Sequence, residues 1–523
     1  MTTSAVPLSL PVARPVNKWA VAVAVAVGAL LEVIDTSIVN VALSQIQASL
    51  GATLTEVSWV VSSYSVANVI ILPLSAWLGH RFGKKAYFVF SLVGFTVASM
   101  MCGMATSFTM LVVARVLQGL AGGGLLAKAQ AILFETFPRE EQAMAQAFFG
   151  IIVISGPAIG PTLGGYLVTN VDWRWIFFIN LPVGIAAVIL TLAALPPDPP
   201  KTAQKGIDWL AIALLAIGLG SLQTILEEGN TEDWFDSRFI VSLTVAMVLG
   251  LGGLVWRLLV VDEPVVDLRV LRYRSLWAGS ILSIVVGIAL YGALFSIPLF
   301  AQSILGFTSQ QTGMLLLPGA LASAVAMPIA GRILKVVEAR IALIGGSILL
   351  ILALFQLSDL SPQTGENNIF WALIIRSFGT VLMFLPLSLA TLGNIPKEDI
   401  SKATGFYSLT RQLGGSIGVA LLTTLLTRRE NFHRSVLIEK VSANSQLALD
   451  RLAAFRGLFL SKGFTFDDAQ AKAMSMLDHA VDSQALVMSF CDTFVATGVL
   501  IIVSLPLVIL LGKGKGAAPV ADH

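Results

Sequence analysis

Long uninterrupted apolar runs constrain this chain more than any other feature. A bilayer-crossing helix needs about 20 consecutive, mostly apolar residues. Such runs lie near 19–43, 57–79, 86–105, 109–132, 143–168, 175–195, 208–227, 239–260, 276–302, 313–335, 340–358, 370–393, 403–427 and 487–511, fourteen in all. They are continuous and too long for the alternating segments of about ten residues that build membrane barrels. The expected fold is an all-α polytopic membrane protein. Composition agrees, because 56% of the 523 residues are apolar and 12% are charged. That is too little charge to cover several soluble domains and too much apolar surface for disorder. The first run is long, carries acids and lacks a cleavage site, so it is read as a span rather than a signal peptide. A net charge of +2 gives no reason to expect nucleic-acid binding. Cys102 and Cys491 lie in apolar runs and are read as packing residues rather than a disulfide.

The basic residues set an expected orientation. With the N-terminus in the cytoplasm, the inside segments hold Arg14, Lys18, Arg81, Lys84, Lys85, Arg139, Lys201, Lys205, Arg257, Arg269, Arg272, Arg274, Arg332, Lys335, Arg340, Lys397, Lys402, Lys513 and Lys515, nineteen in total. The short outside loops hold Arg174 and Arg238. Both termini of this multi-pass protein are therefore expected in the cytoplasm. Residues 428–486 form one long outer connection, in which Ala453–Leu460 and Ala469–Ala480 read as short amphipathic helices. It is either a solvated cap or a docking surface.

The chain also repeats itself weakly. Pro138-Arg139-Glu140-Glu141 corresponds to Pro396-Lys397-Glu398-Asp399, and Gly156 and Gly160 correspond to Gly414 and Gly418. Arg115 corresponds to Arg376, and Pro73 to Pro328. Spans 1–6 and 9–14 thus read as two copies of one six-helix unit, with spans 7 and 8 inserted between them. The expected division is 1–195, 196–275 and 276–523. Parallel repeats with a site at their interface are a common transporter architecture.

Charges inside spans are costly and face a cavity or a partner. Glu32 and Asp35 are three residues apart and share a face of span one. Arg115 in span four lies at a matching depth, given a rise of about 1.5 Å per residue. A carboxylate balanced between desolvation and this cation can carry a proton reversibly. The plainer alternatives are a fixed ion pair for Asp35 and an interfacial position for Glu32. Lys128 either snorkels inward or faces a cavity, and Arg411 lies deep in span thirteen. Asp492 reads as interfacial. His433 and His479 show no metal-ligand spacing, and no phosphate loop or catalytic set occurs, so neither a cofactor nor an enzyme activity is expected. In span five, Gly156, Gly160 and Gly164 recur every four residues, beside Gly165, and Pro157 and Pro161 bend the helix. That pattern suits a hinge between moving bundles. The turn His80-Arg81-Phe82-Gly83-Lys84-Lys85 between spans two and three reads as a gate.

Taken together, these residues resemble the major facilitator superfamily, and within it the fourteen-span drug:proton antiporter family of the EmrB/QacA type. The resemblance covers nearly the whole chain. It rests on Leu31–Leu43 in span one, Leu111–Gly119 in span four, the Gly/Pro stretch of span five and Trp173–Gly184 at the start of span six. The sequence departs from the pattern at Ser44, where Pro is usual, and at His80, where Asp is usual. The resemblance implies two six-helix bundles plus two inserted helices, a place in the bacterial inner membrane, and proton-coupled efflux of hydrophobic or amphipathic drugs by alternating access. It implies proton coupling through Asp35, Arg115 and Glu32. The expected substrate cavity is lined by Glu32, Asp35, Gln118, Arg376, Arg411 and Lys128. A periplasmic adaptor and an outer-membrane channel are possible partners of the outer loop. A dedicated exporter of one lipid, siderophore or amino acid, and a non-transporting membrane scaffold, are the alternatives.

Overall fold

The computed structural model describes residues 17–198, 206–262, 264–361, 364, 366–441 and 445–511. Arg14, Lys201, Lys205, Lys513, Lys515 and both chain ends lie outside the described residues. Among the described residues every regular element is a helix. The first half comprises α1 (Lys18–Leu50), α2 (Leu54–Val57), α3 (Trp59–Phe82), α4 (Lys84–Gly103), α5 (Phe108–Gly122), α6 (Leu125–Thr136), α7 (Arg139–Asn170), α8 (Trp175–Phe178) and α9 (Asn180–Ala194). An inserted pair follows, α10 (Trp209–Glu228) and α11 (Arg238–Val260). The second half comprises α12 (Arg274–Ser303), α13 (Ser309–Ile333), α14 (Ala339–Leu357), α15 (Glu366–Leu392), α16 (Ile400–Lys440), α17 (Gln446–Ser461) and α18 (Phe466–Ser504).

Thirteen spans among the described residues are long and apolar enough to cross a membrane. The remaining expected span lies in α16. Its Arg411, Gln412 and threonines make it less apolar, and it is surrounded by α3, α6, α12 and α18 rather than by lipid alone. Span four is not one helix. It breaks at Gly123-Gly124, where Gly124 takes φ +89° and a Cβ would meet that of Ser75 at 2.7 Å. Only glycine accepts both the left-handed backbone and the close approach.

The connection 428–486 also differs from expectation. Both segments expected to be helical are helical, but most of the connection consists of extensions of the flanking spans. The helix of the thirteenth span continues as α16 to Lys440, and the helix of the fourteenth already begins at Phe466. The segment Ala469–Ala480 is part of α18, and Ala453–Leu460 lies in α17, which packs on α18. Arg434 ties α16 to Asp478 and Asp482 of α18. Continuous helix satisfies the backbone without a core of its own.

Two buried clusters hold most of the core. One draws almost wholly on α12–α18. The other is built around α1, α4, α6 and α7 and takes in Met327, Phe384 and Leu385 from the second half. The main contacts between the halves are α7 with α13 on one side and α16 with α3 and α6 on the other. The glycine stripe of span five does not face this seam. Cβ atoms at Gly156, Gly160 and Gly164 would meet Val33, Ser37 and Ile38 of α1 at 2.5, 1.9 and 2.7 Å. The face turned to α13 is the one carrying Ala147, Gly150 and Thr162. The repeat is visible in the same detail, since Gly414 and Gly418 of α16 press on Ile284 and Ile288 of α12 as Gly156 and Gly160 press on α1.

Candidate functional site

Asp35 is fully buried in α1, and Arg115 of α5 lies beside it at 1% exposure. Arg115 Nη1 donates to Asp35 Oδ2 at 2.5 Å. Asp35 Oδ1 accepts from Gln118 Nε2 at 2.8 Å and from Asn180 Nδ2 at 3.0 Å. Arg115 is held from its other side as well. Its Nε donates to the Val60 carbonyl at 2.9 Å, its Nη1 also donates to Gln118 Oε1 at 2.8 Å, and its guanidinium stacks 4.4 Å from the Tyr64 ring centre. Asn180 in turn donates to Ser99, whose hydroxyl donates to the Phe177 carbonyl. Side chains of α5 and α9 thus converge on one carboxylate of α1. A buried charge survives where it is both paired and hydrogen-bonded, and here both conditions are met.

Glu32 lies one turn away on α1 and is 7% exposed. Its carboxylate accepts from Asn68 Nδ2 and from the Leu126 backbone N–H, both at 2.8 Å. Leu126 sits in the first turn of α6, where backbone donors have no partner within the helix. The break at Gly123-Gly124 therefore creates the anion site that Glu32 fills.

The other expected cavity residues occupy separate places. Arg411 is buried between the rings of Phe384 and Tyr407, at 5.2 and 5.6 Å, and its Nη1 has no hydrogen-bond partner. Arg376 lines a small cavity with Ile154, Gly319, Ser323 and Thr380, and its Nε has no partner. Lys128 does not snorkel out. It is 2% exposed, with its ammonium 3.5 Å from the Ser75 carbonyl and 3.4 Å from Ser401 of α16. Gln118 joins the Asp35 cluster, so Asp35, Arg115 and Gln118 are together and Lys128, Arg376 and Arg411 are apart.

At the turn between α3 and α4, Gly83 has φ +97° and lies against Asp198, whose carboxylate accepts from the backbone N–H groups of Lys85 and Ala86. Lys84 pairs with Glu135 at 2.6 Å, and Lys85 donates to the carbonyls of Leu192 and Leu195. His80 and Arg81 border a cleft with Lys402 and Phe406 of α16. Asp492, read as interfacial, pairs with Arg429 and with His433 of α16. Cys102 and Cys491 are free thiols.

Asn180, Asn68 and Ser99 were missing from the sequence reading of the site. An amide between Ile179 and Leu181 was a usable signal. The run Gly122-Gly123-Gly124 was another, since it marks where span four breaks.

The sequence model of the Major Facilitator Superfamily matches residues 25–419. The multidrug export protein EmrB of Escherichia coli K12 is 33% identical over 488 residues, covering 93% of this chain and 94% of that protein. The fatty acid resistance protein FarB of Neisseria gonorrhoeae is 30% identical, over 91% of this chain and 93% of its own. Among solved structures, the human organic anion transporter MFSD10 matches with a TM-score of 0.58 at 13% identity, over 93% of this chain and 99% of that one. The proton:xylose symporter XylE matches with a TM-score of 0.58 at 12% identity, over 95% and 99%. These two show a shared fold. The helical architecture, the family model and the relatives agree, and the chain belongs to the major facilitator superfamily and, within it, to the EmrB-type multidrug export proteins.

Proposed function

We propose that this protein is a carrier, not an enzyme, that exports hydrophobic and amphipathic compounds from the bacterial cytoplasm in exchange for protons. The names of the relatives support export, and the Asp35–Arg115 pair supports the coupling. Asp35 takes up the proton, Arg115 returns it by competing for the carboxylate, and Gln118 and Asn180 orient the group in both states. Glu32 and Arg411 face the substrate. The orientation is the one the basic residues imply, with both termini in the cytoplasm. The working units are residues 1–195, 196–275 and 276–523. The helical extension formed by α16, α17 and α18 outside the membrane suits a periplasmic adaptor leading to an outer-membrane channel.

The single observation that carries this reading is a carboxylate at 0% exposure joined to an arginine at 2.5 Å within the bilayer. Proteoliposomes with an imposed pH gradient test it. Asp35→Asn is expected to abolish gradient-driven dye efflux while leaving dye binding intact, and full gradient-driven efflux in that variant would overturn the assignment. A second reading is a dedicated exporter of an amphipathic acid. The name of FarB and the two buried arginines Arg376 and Arg411 favour it. A substrate panel dominated by one acid would establish it.

A further inference from the structure

Two carboxylates at the end of α10 lie outside the site described above. Glu228 is 3% exposed and accepts from the Ser58 and Ser62 hydroxyls of span two at 3.0 and 2.5 Å. Those bonds anchor the inserted helix to the first half. Glu227 is linked toward the second half. Gln223 Nε2 donates to it at 2.8 Å and to the Ser416 hydroxyl of α16 at 2.7 Å, and Ser65 of α3 lies near its carboxylate. We propose that Glu227, with Gln223, is a second proton-binding site, one that governs closure of the outer seam between α3 and α16. This rests on the proton-driven export reading.

Two independent observations support a proton as the ligand. First, Gln223 is fully buried, and its Oε1 has no hydrogen-bond partner. Both amide hydrogens are already committed, so a buried acceptor stands next to a carboxylate without a donor. A proton on Glu227 supplies an O–H donor beside this amide. Second, the seam differs along its length. In the inner half α3 and α16 meet directly, with the Cβ position of Gly405 3.4 Å from the Leu72 carbonyl. In the outer half the polar side chains of α10 stand between them, and Glu227 is partly exposed. Closing the outer half buries Glu227 fully. An ionised carboxylate opposes that burial far more strongly than a neutral one does. The ionised form holds the seam apart, and a proton from outside releases it.

The groups facing Glu227 fit this role. Glu228 is the charge beside it on α10, α3 presents Ser58, Ser62 and Ser65, and α16 presents Ser416. Arg411 of α16 is turned to Phe384 and Tyr407, and Arg257 of α11 pairs with Asp208 at the opposite end. Among the described residues no cation lies within 4.0 Å of Glu227.

Spin labels at Thr55→Cys and Thr427→Cys, with Cys102→Ser and Cys491→Ser, report the outer seam by electron–electron distance in phosphatidylethanolamine–phosphatidylglycerol nanodiscs. Asp35→Asn, combined with Arg115→Gln so that no charge is stranded, removes the first proton site from the background. In that background acidification is expected to shorten the distance. Adding Glu227→Gln is expected to fix it at the short value at every pH, and Glu227→Asp is expected to keep the transition with a shifted midpoint, which also reports correct folding. A transition unchanged by Glu227→Gln, or no transition in the Asp35→Asn, Arg115→Gln background, overturns the proposal. Ethidium export by the wild type that ignores the pH gradient would instead overturn the export reading, because the seam measurement uses no substrate.

Discussion

Asp35 and Arg115 are coupled because neither is tolerable alone where it stands. Removing one partner of a buried pair strands the other charge and costs about 3–5 kcal/mol. Asp35→Asn and Arg115→Gln are therefore each expected to destabilise the protein strongly in thermal unfolding in detergent. The double variant is expected to lose much less than the sum of the two, since Asn and Gln can still hydrogen-bond to each other, to Gln118 and to Asn180. Additive losses would show that the pair does not act as a unit. Glu32 behaves differently, because its partners are neutral donors, the Asn68 amide and the Leu126 N–H. Its charge is matched by a helix start rather than by an arginine. Two carboxylates one turn apart thus have separate supports, one tied to α5 and one to α6.

The helices show what spacing could and could not reveal. Small residues every four positions in span five pointed to close packing, and the structure has it, with α1 as the partner rather than the opposite bundle. Gly160→Ala puts a methyl 1.9 Å from Ser37 Oγ, and Gly418→Ala puts one 2.6 Å from Ile288 Cα. Overpacking of this kind costs about 1–3 kcal/mol. Both variants are expected to melt at lower temperature. Ser37→Ala is expected to restore part of the loss at Gly160 and none at Gly418, where the obstacle is backbone. The positions of spans and the Asp35–Arg115 pairing were legible because apolar length and matching depth are properties of a single helix. The break in span four was harder to read, since three consecutive glycines fit close packing as well as a turn. Asn180, Asn68 and Glu227 were harder still. A lone amide or a carboxylate at a helix end declares its role only through the neighbouring helix that supplies its partner. Amphipathic periodicity marked Ala469–Ala480 as helix, but not its continuity with the fourteenth span or the extension of α16, because polar sequence between two spans shows no sign of where one helix joins the next.

At the scale of the molecule, two sets of links hold the basic face together. One ties the strap between α11 and α12 to the second half. Its Asp267 accepts from Lys402 of α16 at 2.9 Å, and Tyr273 and Arg272 donate to Asp399 at 2.9 and 3.0 Å. Burial raises the Asp267 pKa, but the Lys402 and Arg269 donors outweigh it and hold it below its ordinary 3.8. A depressed acid contributes stability that is complete above 3.8 and fades as pH falls through the lower folded value. Asp267→Asn should lower the melting temperature at neutral pH, and the difference from wild type should vanish under strong acid. The other set crosses directly between bundles. Lys128 reaches Ser401, Gln130 donates to Ser388 at 2.9 Å, and Lys397 donates to the Glu135 carbonyl at 2.9 Å. Each such bond is worth about 0.5–1.5 kcal/mol net. Breaking two of them removes about 1–3 kcal/mol, a shift of about 5–150-fold between closed and open forms. Spin labels at the exposed, repeat-related Glu140→Cys and Glu398→Cys read that equilibrium. Lys128→Met with Gln130→Leu is expected to move the distribution toward long distances. An unchanged distribution would mean that closure of this face rests on the links the two substitutions leave intact, the Lys397–Glu135 bond and the packing of α7 against α13.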